Sequence, residues 1–299
     1  MKSLVVGGSG FVGSHVADAL QESGDQVTIF DIKPSEYLLP GQKFIQGDLL
    51  DARAVDEVVR GHEVVYNFAG VADIEQGLVR PLETVNLNVL GNVTLLEACR
   101  KSEVRRYLFA STIYVSGNSG GFYRVSKQAC ELYVEEYQRL FGLDYTILRY
   151  GSLYGRRADV NNGVYRYLQQ ALRDRRIVCS GTGEEVREYI HVEDAARAAL
   201  TVLAEDFRNQ HVMLTGHQQM KVKDLLIMIK EIVGPDVAII LQNEDALKEP
   251  DSSNLHYSVT PYSFNKPRIA RKLISNFYLD MGQGLLDCLD EIHGLSQNR

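Results

Sequence analysis

Tyr123 and Lys127, in the stretch "GNSGGFYRVSK", have the types and the spacing for proton chemistry. Apolar residues follow at helical intervals (Cys130, Leu132, Tyr133, Val134, Tyr137, Leu140), which predicts a helix with the tyrosine in its first turn. Residues i and i+4 share a helix face, so the phenol and the ammonium would stand side by side. A cation beside a phenol favours phenolate, and a phenol of lowered pKa exchanges protons near neutrality. The same spacing also describes ordinary helix starts, so the pair takes its meaning from its surroundings.

A second candidate is "GGSGFVG", between the apolar run "SLVVG" and a helical pattern from Phe11 to Ser23. Gly7, Gly10 and Gly13 recur at every third position. Glycines in a strand–turn–helix context allow a tight turn and close helix–strand packing, and they let backbone N–H groups approach a pyrophosphate at a helix N-terminus. The next strand, "QVTIF", leads into Asp31. A carboxylate there binds both hydroxyls of an adenosine ribose and repels a 2′-phosphate, which favours NAD over NADP. An exposed loop aspartate beside Lys33 is the plainer alternative.

The elements that must position these residues alternate along the first half of the chain. Strands are expected at "SLVVG", "QVTIF", "KFIQG", "EVVYNFAG", "RRYLFAS" and "DYTILRY". Helices are expected at Phe11–Ser23, Ala52–Arg60, Pro81–Ser102 and from Tyr123 on. Such alternation implies parallel pairing through right-handed crossovers, hence a doubly wound α/β sheet. Beyond Tyr150 the rhythm loosens into a helix near Val164–Arg173, strands at "RIVCS" and "HVMLT", and a helix over Val222–Val233. The tail from about Gln242 to Pro267 reads as loop.

The chain has 299 residues, 45% of them hydrophobic and 24% charged, enough for a sizeable core. Its net charge of −7 presents no basic face for nucleic acid. The short runs Arg105-Arg106, Arg156-Arg157 and Arg173 to Arg176 read as solvated faces, with a phosphate ligand as the alternative. Four scattered cysteines form neither a metal spacing nor a disulfide framework. No stretch is apolar enough for a signal peptide or a membrane span, so the expected compartment is the cytoplasm, without metal, nucleic-acid or membrane partners.

Taken together, these stretches resemble the extended short-chain dehydrogenase/reductase superfamily, in its branch of nucleotide-sugar epimerases and dehydratases. The matching pieces are "GGSGFVG", Asp31, "GDLLD", "NFAG", "NLNVLGNVTLLEAC", "STIYVSG", "YRVSK", "LRYGSLYG" and "GTGEEVREYIHVEDAARA", in family order. The resemblance implies a Rossmann-type NAD-binding domain over residues 1–150, with about 186–215 returning to it. Residues 151–299 would form most of a smaller C-terminal α/β substrate-binding portion. It implies Thr112, Tyr123 and Lys127 as catalytic residues, the lysine also holding the nicotinamide ribose. Cofactor contacts would come from Gly7, Gly10, Phe11, Val12, Gly13, Asp31, Ile32, Phe68, Ala69, Gly70 and Tyr150. Asp48 and Leu49 would lie by the adenine, and Arg80 near the phosphates. Substrate contacts would come from Thr112, Ser152 and Arg187, the last on the diphosphate of a nucleoside-diphosphate sugar. For Arg187 an ion pair with Glu184 or Glu185 is the alternative. For Asn88, which matches a family asparagine near the site, it is a purely local hydrogen bond. His191 and Asp194 read as a helix start. Relatives pair the helices starting near Pro81 and Tyr123 into a four-helix bundle, which implies a homodimer.

Three departures bear on the reaction. Ile113 and Tyr114 follow Thr112 where the family's 4,6-dehydratases carry Asp-Glu. The loop before Tyr123 is short, and "NSGG" lacks the proline and acidic residue usual there. Gly151-Ser152 stands where epimerases often have Phe-Asn, and Ser116 replaces the tyrosine of Val-Tyr-Gly. The leading expectation is an NAD-dependent nucleotide-sugar 4-epimerase. A 4-dehydrogenase or 4-ketosugar reductase is the runner-up, a dehydratase stands behind it, and a non-catalytic dinucleotide-binding regulator is the remote alternative.

Overall fold

A computed structural model describes residues 1–242, 270–275 and 277–297; the segment read as loop lies outside these residues from position 243 on. In chain order the first half comprises β1 (Lys2–Val6), α1 (Phe11–Glu22), β2 (Gln26–Asp31), β3 (Lys43–Gln46), α2 (Ala52–Val59) and β4 (Val64–Asn67). It continues with α3 (Ile74–Val79), α4 (Pro81–Thr84), a wider π-helical turn (Val85–Leu90), α5 (Gly91–Lys101), β5 (Arg106–Thr112), α6 (Gly121–Phe141) and β6 (Tyr145–Tyr150). The second half contains β7 (Ser152–Tyr154), α7 (Gly163–Asp174), β8 (Arg176–Ser180), β9 (Val186–His191), α8 (Val192–Thr201) and β10 (Gln210–Leu214). It ends with β11 (Gln219–Lys221), α9 (Val222–Val233), β12 (Ala238–Gln242), β13 (Arg271–Lys272) and α10 (Met281–Gln297).

Eight strands form one sheet in the order β13-β10-β6-β5-β4-β1-β2-β3, with every pairing parallel. The chain starts in the middle at β1, runs outward to β3, then crosses back to β4 on the other side. That reversal opens a crevice beyond the carboxyl ends of β1 and β4, where this class of sheet binds ligands. The fold is the expected doubly wound, Rossmann-type sheet.

The apolar strand runs are continuous because helices cover both faces. Leu4, Val6, Phe109 and Ile147 pack on Leu95 and Leu96 of α5 and on Cys130 and Val134 of α6. Their neighbours Val5, Ile29, Leu108 and Leu148 face the other way, onto Val16 and Leu20 of α1 and Ala195 and Ala199 of α8. A separate core gathers Leu168 of α7, Ile177 of β8, Leu225 and Ile229 of α9, and Leu285 and Ile292 of α10. This smaller C-terminal α/β portion also carries a three-stranded sheet, β11-β9-β7, and the pair β12-β8.

The structure adds α3, β7, β11, β12, β13 and α10, which the sequence reading does not contain; β7, β11 and β13 are too short for a period to register. The basic runs are not all solvated. Arg106 is only 2% exposed and donates to Thr146 Oγ1 at 3.1 Å. Arg157 donates to Asp18 at 2.7 Å and lies over the Tyr37 ring, while its backbone N–H bonds Glu291 of α10. These arginines fasten elements together, a role that needs partners distant in sequence. Among the described residues no helix is long and apolar enough to cross a membrane, and no cluster of His, Cys, Asp and Glu suits a metal ion.

Candidate active site

The glycine turn after β1 is shaped by close approach. Gly7 has φ +77°, a conformation that side chains disfavour, and a Cβ there would lie 2.5 Å from the Ala69 nitrogen. The segment Phe68–Ala69–Gly70 after β4 therefore passes directly over the turn. A Cβ on Gly13 would strike the Gly7 carbonyl oxygen. Gly10 caps α1 without a side-chain bond, so the first N–H groups of the helix, at Phe11, Val12 and Gly13, remain open to an anion.

Asp31 ends β2 beside this turn. Its Oδ2 accepts from the Ser9 N–H at 3.0 Å and its Oδ1 from the Lys33 N–H at 3.1 Å. Two backbone donors thus hold the carboxylate in place next to the glycines, and Lys33 contributes its backbone. Ile32 is 58% exposed beside it. Asp48 closes a turn by accepting from the Leu50 N–H, and Leu49 is buried against Gly91 at the start of α5. The residues present fit NAD: a cradle that side chains would fill, open helix N–H groups for a pyrophosphate, and a carboxylate set for a ribose diol.

The second cluster lies at the carboxyl end of β5. Thr112 is the last residue of that strand, Tyr123 the third of α6, and Lys127 lies one turn on. All three are buried. Thr112 Oγ1 accepts from the Tyr114 N–H at 3.3 Å, and its hydroxyl is the neighbouring polar group that favours ionisation of the Tyr123 phenol. Lys127 Nζ donates to the Ala110 carbonyl at 2.8 Å and lies 6.0 Å from the centre of the Tyr123 ring. The expectation of a lowered phenol pKa is corrected for the protein's own groups. Burial pushes Tyr123 up to about 12, and the influence of the Thr112 hydroxyl offsets that only in part. Burial likewise lowers Lys127, against the opposing influence of Cys130 and Glu131. Helical spacing predicts which groups are neighbours, whereas the desolvation that decides the sign depends on the whole fold.

Asn88, in the π-helical turn, bonds far beyond its own helix. Its Oδ1 accepts from the Val71 N–H at 2.7 Å, while Nδ2 donates to the Val71 carbonyl at 3.0 Å and to Ser126 Oγ at 2.8 Å. Ser126 Oγ in turn donates to the Tyr123 carbonyl at 2.8 Å. The local reading of Asn88 is therefore corrected: one amide joins the segment after Gly70 to the first turn of α6.

The remaining residues are placed as follows. Tyr150 ends β6, buried, with its ring 6.3 Å from that of Phe68. Ser152 opens β7, in register with Tyr189 of β9. Arg187 lies on β9 opposite Met220 and donates to the Val186 carbonyl at 3.2 Å. Glu184 pairs with Lys221 and Lys223. Arg80, at the junction of α3 and α4, is an exposed side chain paired with Glu83 at 3.5 Å. His191 caps α8 by accepting from the Glu193 N–H through its Nδ1, as a helix start requires, whereas Asp194, in the first turn, accepts from Arg197 and from the N–H of the distant Leu279. Sequence reasoning missed Ser9, Asn67 and Glu131. Asn67 Oδ1 shapes the turn after β4 by accepting from the Ala69 N–H at 3.1 Å. Glu131 follows Lys127 by the interval that separates Lys127 from Tyr123, a spacing that could have revealed it.

Residues 3–216 match the model of the NAD dependent epimerase/dehydratase family. A Methanocaldococcus jannaschii protein provisionally named a UDP-glucose 4-epimerase is 30% identical over 253 residues, covering 77% of this chain and 82% of that one. The structure of UDP-glucose 4-epimerase from Thermotoga maritima, with UDP-glucose, superposes with a TM-score of 0.84 at 26% identity, covering 99% of this chain and 100% of that one. The Thermus thermophilus UDP-glucose 4-epimerase, in complex with NAD, gives 0.79 at 24% identity, covering 98% and 99%. The cradle, the buried Thr112, Tyr123 and Lys127, and this match over most of the length agree: the chain belongs to the NAD dependent epimerase/dehydratase family and is an NAD-dependent enzyme.

Proposed function

We propose that the protein is a nucleotide-sugar 4-epimerase. The observation that carries this reading is the burial of Thr112, at the end of β5, and of Tyr123 and Lys127, one turn apart at the start of α6, with no carboxylic acid in the turn after Thr112. Ile113, directly after Thr112, is 1% exposed and packs with Met213. A dehydratase needs an acid to expel a second hydroxyl, and this turn supplies none. The names of the relatives support the same class of substrate.

When bound, NAD accepts and returns hydride at its nicotinamide ring. The chain's own residues do the rest. Tyr123 takes the proton of the sugar C4 hydroxyl and later gives it back, while the Thr112 hydroxyl orients that oxygen. Lys127, near the ribose of the nicotinamide, adds the positive charge that the buried phenol needs in order to ionise. Gly7, Gly10 to Gly13 and Arg80 serve the pyrophosphate, Asp31 and Ile32 the adenosine ribose, and Asp48 and Leu49 the adenine. Phe68, Ala69, Gly70 and Tyr150 would complete the cofactor contacts. Ser152 and Arg187 serve the substrate, the arginine at its diphosphate. Residues 1–150 and about 186–215 form the cofactor-binding part in this reading, and most of 151–299 receives the sugar nucleotide.

The functional unit in this reading is a homodimer. Val79, Leu82, Val85 and Leu90 on one helical stretch, and Phe122, Val125, Leu132 and Phe141 on α6, are between 46% and 80% exposed. An apolar face of this extent on two neighbouring helices suits burial against a second copy. Light scattering is expected to give a dimer, and a monomer at micromolar concentration would remove this part of the reading.

The deciding experiment denatures purified protein, assays released dinucleotide, and follows C4 inversion of nucleotide sugars by NMR. Stoichiometric NAD(H) together with inversion is the expected result. Protein that emerges empty and reduces added NAD with a nucleotide sugar is instead a 4-dehydrogenase, which would use the same three residues. Tyr123→Phe is expected to lower kcat by about 10²–10⁴, the range of a general acid–base contribution.

A further inference from the structure

Glu131 lies one turn beyond Lys127 on α6 and is 1% exposed. Its Oε1 accepts from Ser111 Oγ at 2.6 Å and from Arg149 Nε at 2.9 Å, and its Oε2 accepts from Arg149 Nη2 at 2.7 Å. Arg149 is fully buried, and its Nη2 also meets His211 Nδ1 at 2.9 Å, on β10. Ser111 and Arg149 are register partners on β5 and β6, and so are the next residues along, Thr112 and Tyr150. One carboxylate therefore holds the last turn of both strands against the helix that carries Tyr123 and Lys127.

Stability alone does not account for this arrangement. Burying an ion pair costs desolvation that apolar side chains of similar volume would avoid, and the surrounding core is apolar. What a bidentate arginine–carboxylate pair adds over apolar packing is direction, because its parallel bonds fix angle as well as distance. We propose that Glu131 is a positioning residue, whose bonds to Ser111 and Arg149 set where Thr112 and Tyr150 stand relative to Tyr123 and Lys127. The proposal rests on the catalytic assignment of Thr112, Tyr123 and Lys127 made above.

The same carboxylate bears on the lysine's charge. The groups around Lys127 are Tyr123, Cys130 and Glu131 on α6, and the Phe109 ring and the Ala110 carbonyl on β5. Beyond Glu131 lie Arg149 on β6, His211 on β10 and Glu135 on the next turn of α6, the last bonded to His211 Nε2 at 3.0 Å. Glu131 is the buried carboxylate of this group, and it opposes the loss of the ammonium proton that burial favours.

The test uses full-length protein with NAD and a nucleotide sugar. Ser111→Ala removes one bond to Glu131 and little volume. It is expected to lower kcat about tenfold through misplacement of Thr112, with KM and melting temperature near wild type. Ser111→Thr keeps the hydroxyl and is expected to recover most of that loss. Unchanged kcat in Ser111→Ala, or a loss that Ser111→Thr does not relieve, overturns the proposal. Separately, NMR of carbon-13-labelled lysine in Glu131→Gln without substrate is expected to move the Lys127 titration to lower pH. Because Glu131→Gln strands the Arg149 charge and risks misfolding, the Ser111 pair decides the positioning claim alone. Wild-type protein that turns over no nucleotide sugar overturns the proposed function instead, and the Lys127 titration then decides the role of Glu131: an unmoved midpoint overturns it.

Discussion

Asn88 Nδ2 donates to Ser126 Oγ at 2.8 Å, and the Ser126 hydroxyl donates on to the carbonyl of Tyr123. Through this pair, a residue in the π-helical turn holds the first turn of the tyrosine's helix while it grips both backbone groups of Val71. Asn88 lies in the π-helical turn Val85–Leu90, a rare wider turn that is frequent at functional sites.

Asn88→Ala is expected to lose about 1 kcal/mol of stability, because the half-buried backbone N–H at Val71 loses its partner. Asn88→Asp keeps an acceptor for that N–H but has no donor for Ser126. It should therefore regain stability in thermal melts while kcat stays depressed. Equal recovery of both would mean that the Ser126 link does nothing for turnover.

Replacing Asp31 with Ser removes the carboxylate that Ser9 and Lys33 hold by their N–H groups. NAD affinity is expected to fall by about 1–3 kcal/mol, the size of a charge-assisted hydrogen bond. NADP affinity should fall less, since the repulsion of a 2′-phosphate goes with the charge. Calorimetric titration of both dinucleotides checks this, and wild-type protein that prefers NADP contradicts it.

Arg187→Lys exchanges a planar fork for a point charge. If Arg187 holds the substrate diphosphate, kcat/KM for nucleotide sugars should drop roughly ten- to a hundredfold, the equivalent of about 1.5–3 kcal/mol, with NAD affinity unchanged. Steady-state kinetics with several nucleotide sugars would reveal it. Unaltered kinetics with all of them moves the diphosphate site elsewhere.

Acid should weaken the fold through Glu131. Burial on its own would raise this carboxyl, but His211 3.6 Å away and the hydrogen bonds and charge of Arg149 outweigh it and hold the group at about 2, against 4.5 for an unperturbed glutamate. A carboxylate depressed by folding contributes stability above its unfolded pKa and loses it as pH falls toward its folded pKa. The contribution, on the order of 3 kcal/mol, should disappear between about pH 5 and pH 2. Urea unfolding at a series of pH values is expected to show a shallower decline in Glu131→Gln/Arg149→Met, which has no such carboxylate to titrate. An identical slope in the two proteins would exclude Glu131 as a cause.

The amino-acid sequence by itself determined the alternation of strands and helices through Tyr150, the glycine turn with Asp31 after it, and the placing of Tyr123 and Lys127 on one helical face. Each is a property of neighbours along the chain: a period of apolar residues, a turn that admits only glycine, an interval of four. Tertiary structure alone decided the sign of the Tyr123 shift, the long reach of Asn88, the burial of Arg106 and the hold of Glu131 on two strand ends. Glu131 is legible afterwards as the third member of a four-residue series, but nothing local says that Ser111 and Arg149 will meet it. Those partners arrive through the parallel register of β5 and β6, set by cores on both faces of the sheet. Desolvation likewise depends on every group that excludes water from a site, and most of those lie far away in sequence.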